Sequence, residues 1–69
     1  MKYKVTARPV VDGKATFVVE WGDERVEVIL EGFGTGKLML PAQYFGDPGL
    51  PIDAITALMK KAEEVDRVV

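Results

Sequence analysis

The residues best placed to do chemistry gather in EGFGTGKLML, Glu31 to Leu40, where three glycines alternate with other residues and then meet Lys37. A glycine-rich run ending in lysine is the raw material of a phosphate-binding loop, because backbone N–H groups unhindered by side chains can wrap phosphate oxygens. The spacing does not fit. Such loops need GxxxxGK followed by Ser or Thr, and here Lys37 is followed by Leu38. Gly32, Gly34 and Gly36 form GxGxG rather than the dinucleotide pattern GxGxxG, and no strand–turn–helix surrounds them. The stretch reads as the connection of a hairpin.

Other chemistry is scarce. The 69-residue chain has no cysteine and no histidine, so it lacks a thiolate nucleophile, the commonest general base and the commonest metal ligand. Eleven carboxylates could in principle work in acid–base pairs, but nothing places two of them in a shared apolar pocket. A metal would need oxygen ligands alone, and no calcium-loop spacing occurs. No catalytic residue, metal ligand or cofactor is therefore assigned, and the expectation is a non-enzymatic module.

Binding is the remaining class, and three groups of residues could carry it. Lys2, Lys4 and Arg8 fall on one strand face as candidate nucleic-acid contacts, in the manner of DNA readers that present a helix-backed sheet. Glu20, Glu27 and Glu31 share that face and the net charge is −2, so alternating charge on a solvated face is preferred and nucleic acid stands as the alternative. Phe33, Tyr44 and Phe45 sit in glycine- and proline-rich connections, where each aromatic either seals the core or projects as a partner contact. Val18, Ile29 and Met39 form a candidate self-association face.

These assignments depend on the elements that position them. KYKVTAR, residues 2 to 8, alternates strictly, with Tyr3, Val5 and Ala7 on one side. ATFVVEW puts Ala15, Phe17, Val19 and Trp21 on one face, RVEVILE gives Val26, Val28 and Leu30, and KLMLP offers Leu38 and Leu40. A one-residue slip would invert every side chain, so turns can be tested by parity. A two-residue Gly22-Asp23 loop sets Glu20 opposite Arg25, Val19 opposite Val26 and Phe17 opposite Val28. For the first hairpin a two-residue Asp12-Gly13 loop mixes the faces. A three-residue loop, Asp12-Gly13-Lys14, sets Ala7 against Val19 and Val5 against Trp21, and is the expectation. Pro9 requires an edge strand or a bulge. In the third hairpin Leu30 would face Leu38 and Val28 would face Leu40.

PAQYFGDPGLP then reads as an irregular connection. Pro51 suits the first turn of a helix, with Asp53 near its positive end. Ile52, Ile55, Leu58, Met59, Ala62, Val65 and Val69 recur at helical spacing as its apolar side. The expected fold is α+β, a four-stranded antiparallel meander with one C-terminal helix on one face, in a single domain over residues 1–69. One helix leaves the other face open. A chain this small commonly gains stability by oligomerising, so a homodimer through Val18, Ile29 and Met39, or another protein partner, is expected.

No apolar run approaches a membrane span and the alternating N-terminus lacks a secretory core, so the expectation is a soluble, cytoplasmic chain with no membrane partner. The chain has no Asn and no Ser, and Gln43 is its only side-chain amide. That depletion fits a thermophilic source, and it fits a biased base composition or an artificial origin equally well.

Overall fold

A computed structural model describes residues 2–41 and 49–68. Three strands, β1 (Lys4–Ala7), β2 (Lys14–Trp21) and β3 (Glu24–Glu31), form an antiparallel sheet in the order β1-β2-β3, and α1 (Ile52–Asp66) follows. The α+β class with an antiparallel sheet and one C-terminal helix is as expected. The fourth strand is not present among the described residues. Where it was expected, Met39 makes an isolated bridge to Glu31, with backbone bonds in both directions. The bridge sets a register two residues away from the expected one, because the glycine segment closes as a longer loop than a tight hairpin needs.

The β2–β3 hairpin follows the alternation of its sequence. Glu20 pairs with Arg25, Val19 with Val26 and Phe17 with Val28. Gly22 has φ +54° and Asp23 is not in the left-handed region, the pattern of a type II′ turn.

The first hairpin departs from expectation. Val5 pairs with Val19 and Ala7 with Phe17, two residues away from the expected register. The turn is the two-residue Asp12-Gly13, closed by Val11 and Lys14 bonding each other in both directions. Positive φ at both loop positions (53° and 73°) marks a type I′ turn. Arg8 donates to Thr16 across β2, so Pro9 and Val10 together stand opposite Ala15. This one-residue bulge restores the parity that a plain two-residue loop would break.

The sheet buries one face. Ala15, Phe17, Val19, Val28 and Leu30 join Phe33 and the helix residues Ala54, Leu58 and Ala62 in a single core. The helix packs on β1 and β2 with the 54–58–62 stripe inward, a rotation from the expected face. Ile52 is 79% exposed, a correction to its expected place in the apolar side. Two alanines let the helix approach the sheet closely, while Ile55, Met59 and Val65 are half-buried at its flanks. Tyr3 and Trp21 pack at 5.5 Å near the β2–β3 turn, and Phe33 stacks on Phe17 at 5.9 Å.

Gly32 is the residue that makes this last contact geometrically accessible. Its φ is +97°, and a Cβ there would collide with the Lys37 carbonyl oxygen. Both strain and collision oppose any side chain. Gly32→Ala is expected to lose about 3 kcal/mol or more in urea unfolding, from backbone strain combined with a backbone clash. Gly22→Ala meets no atom within 4 Å and should lose only about 1 kcal/mol, the strain alone. Equal losses at the two positions would mean the close approach of Gly32 to Lys37 is unimportant.

Candidate interaction surface

The glycine loop uses its N–H groups internally. Gly32 and Phe33 both donate to the Gly13 carbonyl oxygen, at 3.0 and 3.1 Å, tying the loop to the first turn. Thr35 donates through its N–H (3.2 Å) and its hydroxyl (2.7 Å) to the Gly32 carbonyl oxygen, and Lys37 N–H donates to the Thr35 hydroxyl at 3.2 Å. Gly34 N–H donates to the Asp66 carboxylate, Oδ1, at 2.9 Å. The donors that would cradle a phosphate are thus largely committed, and the anion at the loop is the chain's own. The same bond explains an acid in the last helical turn. Carboxylates there face the negative pole of the helix, and the last turn itself holds no basic residue, Arg67 following at the C-cap.

Phe33 is 4% exposed, stacked into the core, so it offers no contact surface. Tyr44 and Phe45 lie outside the described residues.

The open face of the sheet carries Lys4, Thr6 and Arg8 from β1 and its extension, Lys14, Thr16, Val18 and Glu20 from β2, and Arg25, Glu27, Ile29 and Glu31 from β3. Val18 holds its expected place by parity but is only 5% exposed, which withdraws it from the candidate face. The cause lies in a bond between the two outer strands. Arg8 Nη2 donates to Glu27 Oε1 at 3.2 Å. The strands they stand on are separated by β2, roughly 10 Å apart backbone to backbone, so both side chains must reach across the middle strand. They roof the position where Val18 stands. Arg25 adds a second contact to Glu27 at 3.6 Å.

Ile29 (51% exposed) and Met39 (65%) remain open, and Val11 (65%) joins them. The Val11–Lys14 bridge and the Glu31–Met39 bridge put these residues on the open side, at the end of the face nearest the Asp12-Gly13 turn. Lys14 and Glu31 pair at 3.7 Å between Val11 and Met39. An open depression of about 370 Å³ is lined by Arg8, Pro9, Val11, Lys14, Thr16 and Ile29, among others. Val11 was missed from sequence because it follows Pro9, where the alternation breaks.

Of the candidate nucleic-acid contacts, Lys2 and Lys4 are exposed, while Arg8 spends its charge on Glu27. Among the described residues no group of three or more acidic side chains is arranged to hold a metal ion. Among the described residues no helix is long and apolar enough to cross a membrane. Compared with protein-family models, curated proteins and solved structures, the chain matches none.

The roof over Val18 works chiefly as cover. An ion pair with both partners about half exposed contributes roughly 0–1 kcal/mol, and salt screens it. Arg8→Met should therefore keep the unfolding midpoint within about 0.5 kcal/mol of the native chain, because the apolar stem still shields Val18. Arg8→Ala should lose about 1 kcal/mol, with little dependence on salt. Equal destabilisation by both variants, abolished in molar salt, would assign the effect to charge instead.

Proposed function

We propose that this protein is a non-enzymatic interaction module that self-associates through the open face of its sheet. The carrying observation is that Val11, Ile29 and Met39, all more than half exposed, stand at one end of the open face, with Val11 and Ile29 lining the depression beside Thr16. Singly exposed apolar residues are ordinary on any surface. Three at one end of one face, with the Lys14–Glu31 pair set between Val11 and Met39, give a mixed apolar and charged surface of the kind interfaces combine.

Size sets the strength. The two eight-residue strands rise to roughly 27 Å, β1 has only four residues, and the three strands together span roughly 14 Å, so the face falls well short of the ~800 Å² per partner of a standard interface. The association is weak and reversible. A twofold arrangement is favoured, as in most homo-oligomers. Pairing through the β1 edge of two copies is disfavoured: setting Val5 opposite Ala7 or Val5 opposite Val5 brings Lys4 or Lys2 of one copy against Arg8 of the other, and like charges directly opposite destabilise a sheet. Setting Ala7 opposite Ala7 places Pro9, which has no N–H, opposite Val5.

Sedimentation equilibrium from about 10 μM to about 1 mM, the range for a weak small interface, is expected to show a monomer–dimer transition. Ile29→Glu and Val11→Glu should each leave a folded monomer throughout. A native chain that stays monomeric ends this reading, and dimerisation indifferent to both variants places the interface elsewhere. Oligonucleotide binding at physiological salt that weakens steeply as salt rises would instead favour a nucleic-acid role for Lys2 and Lys4.

A further inference from the structure

The outer edge of β1 is a second surface, distinct from the open face. Antiparallel ladders alternate between residues that bond their neighbour and residues whose N–H and C=O point the other way. Arg8 N–H donates inward to Thr16, so Lys4 and Thr6 also bond toward β2, while Val5 and Ala7 direct their N–H and C=O outward. Among the described residues no strand pairs with that side. Pro9, with no N–H to offer, ends the run of outward donors. The edge is short.

Beside it lies a groove between β1 and the helix, about 210 Å³, lined by Tyr3, Val5, Ala57, Lys60, Lys61 and Glu64. Its floor is apolar and its rim is basic. Lys2 and Lys4 stand on the other side of the same edge, and none of these four lysines has an ion-pair partner among the described residues. A chain of net charge −2 thus sets four lysines around one strand edge, against Glu64 in the groove and Glu20 opposite Lys4 as the facing acids among the described residues.

We infer that this edge and groove bind an extended acidic peptide segment of another protein, which adds a strand to β1. Outward N–H and C=O groups of Val5 and Ala7 give the backbone ladder. Alternate peptide side chains point to opposite sides of the added strand. Aliphatic ones on the core side enter the groove over Val5 and Ala57. Acidic ones on the other side meet Lys2 and Lys4, and a carboxylate at the groove rim meets Lys60 and Lys61. A second copy of this chain is a poor occupant through its own β1, for the like-charge reason given above.

The test uses a short acetylated and amidated peptide alternating glutamate with valine, titrated into the native chain. Amide hydrogen exchange of Val5 and Ala7 should slow, and Trp21 fluorescence should change through its contact with Tyr3 at the groove. A peptide alternating lysine with valine should not bind. The combined Lys2→Glu, Lys4→Glu variant should weaken binding by about tenfold or more, since the glutamates of this peptide face those two lysines and charges at a binding rim select the partner. N-methylation of alternate peptide amides provides a control that does not touch the fold: methyls on the side facing β1 should abolish binding, and methyls on the far side should not. Unchanged Val5 and Ala7 exchange at millimolar peptide would overturn the inference, as would equal binding of the lysine peptide or indifference to which amides are methylated. Protection of Val5 and Ala7 that rises with protein concentration alone would overturn it in favour of a second copy.

Discussion

A single helix is the constraint on which the rest of this structure depends. Fifteen residues of α1 cross β1 and β2 and make no comparable contact with β3. Ala54 and Ala62 let the helix sit close, and Leu58 fills the space between them. The core above β3 must be closed by something else. Phe33 contributes to this, carried inward by the glycine loop and stacked on Phe17, while Leu38 and Leu40 pack against the same core. The three glycines are therefore explained by packing. A chain that must reverse, drop an aromatic ring into the core and return to meet Glu31 needs backbone conformations that side chains resist. Asp66 completes the closure by joining the end of the helix to the loop, so the two devices that cover the core are fastened to each other.

The same shortage of helix leaves the opposite face of the sheet uncovered, and the sequence treats that face unevenly. Toward its middle, Arg8 and Glu27 reach over β2 and shelter Val18. Toward the Asp12-Gly13 turn no such roof exists among the described residues, and Val11, Ile29 and Met39 stay open, the first two lining a depression. An exposed apolar group beside a sheltered one is informative because the chemistry of shelter was at hand. The proposed interface rests on that contrast.

Much of this was legible in the residues, and the failures have physical reasons. Alternation located the three strands, and the tight Gly22-Asp23 turn transmitted parity across the second hairpin with no room for error. The first hairpin misled because Pro9 hides a bulge: a two-residue loop with one extra residue opposite Ala15 keeps each face intact and lies two residues from the three-residue-loop register, so parity alone cannot tell them apart. The fourth strand was overread from Leu38 and Leu40, which do pack inward, but only Met39 meets β3. Helix periodicity was correct while its inward direction was rotated, since alanines and larger apolar residues alternate around much of its circumference. Val18 was placed on the right face with the wrong exposure, because a roof built by residues 8 and 27 is a long-range event. The Gly34–Asp66 bond spans 32 residues and left no local signal.

The central claim is that the uncovered sheet face, and not the glycine loop, is the surface through which this chain meets a second copy. A concentration series of two-dimensional amide NMR spectra tests it most directly, because each residue reports separately. The expected result is progressive shifts at Val11, Thr16, Ile29 and Met39 as concentration rises, with Phe33, Gly34 and Thr35 unmoved. Shifts concentrated in residues 32 to 37, with the open face silent, would contradict it.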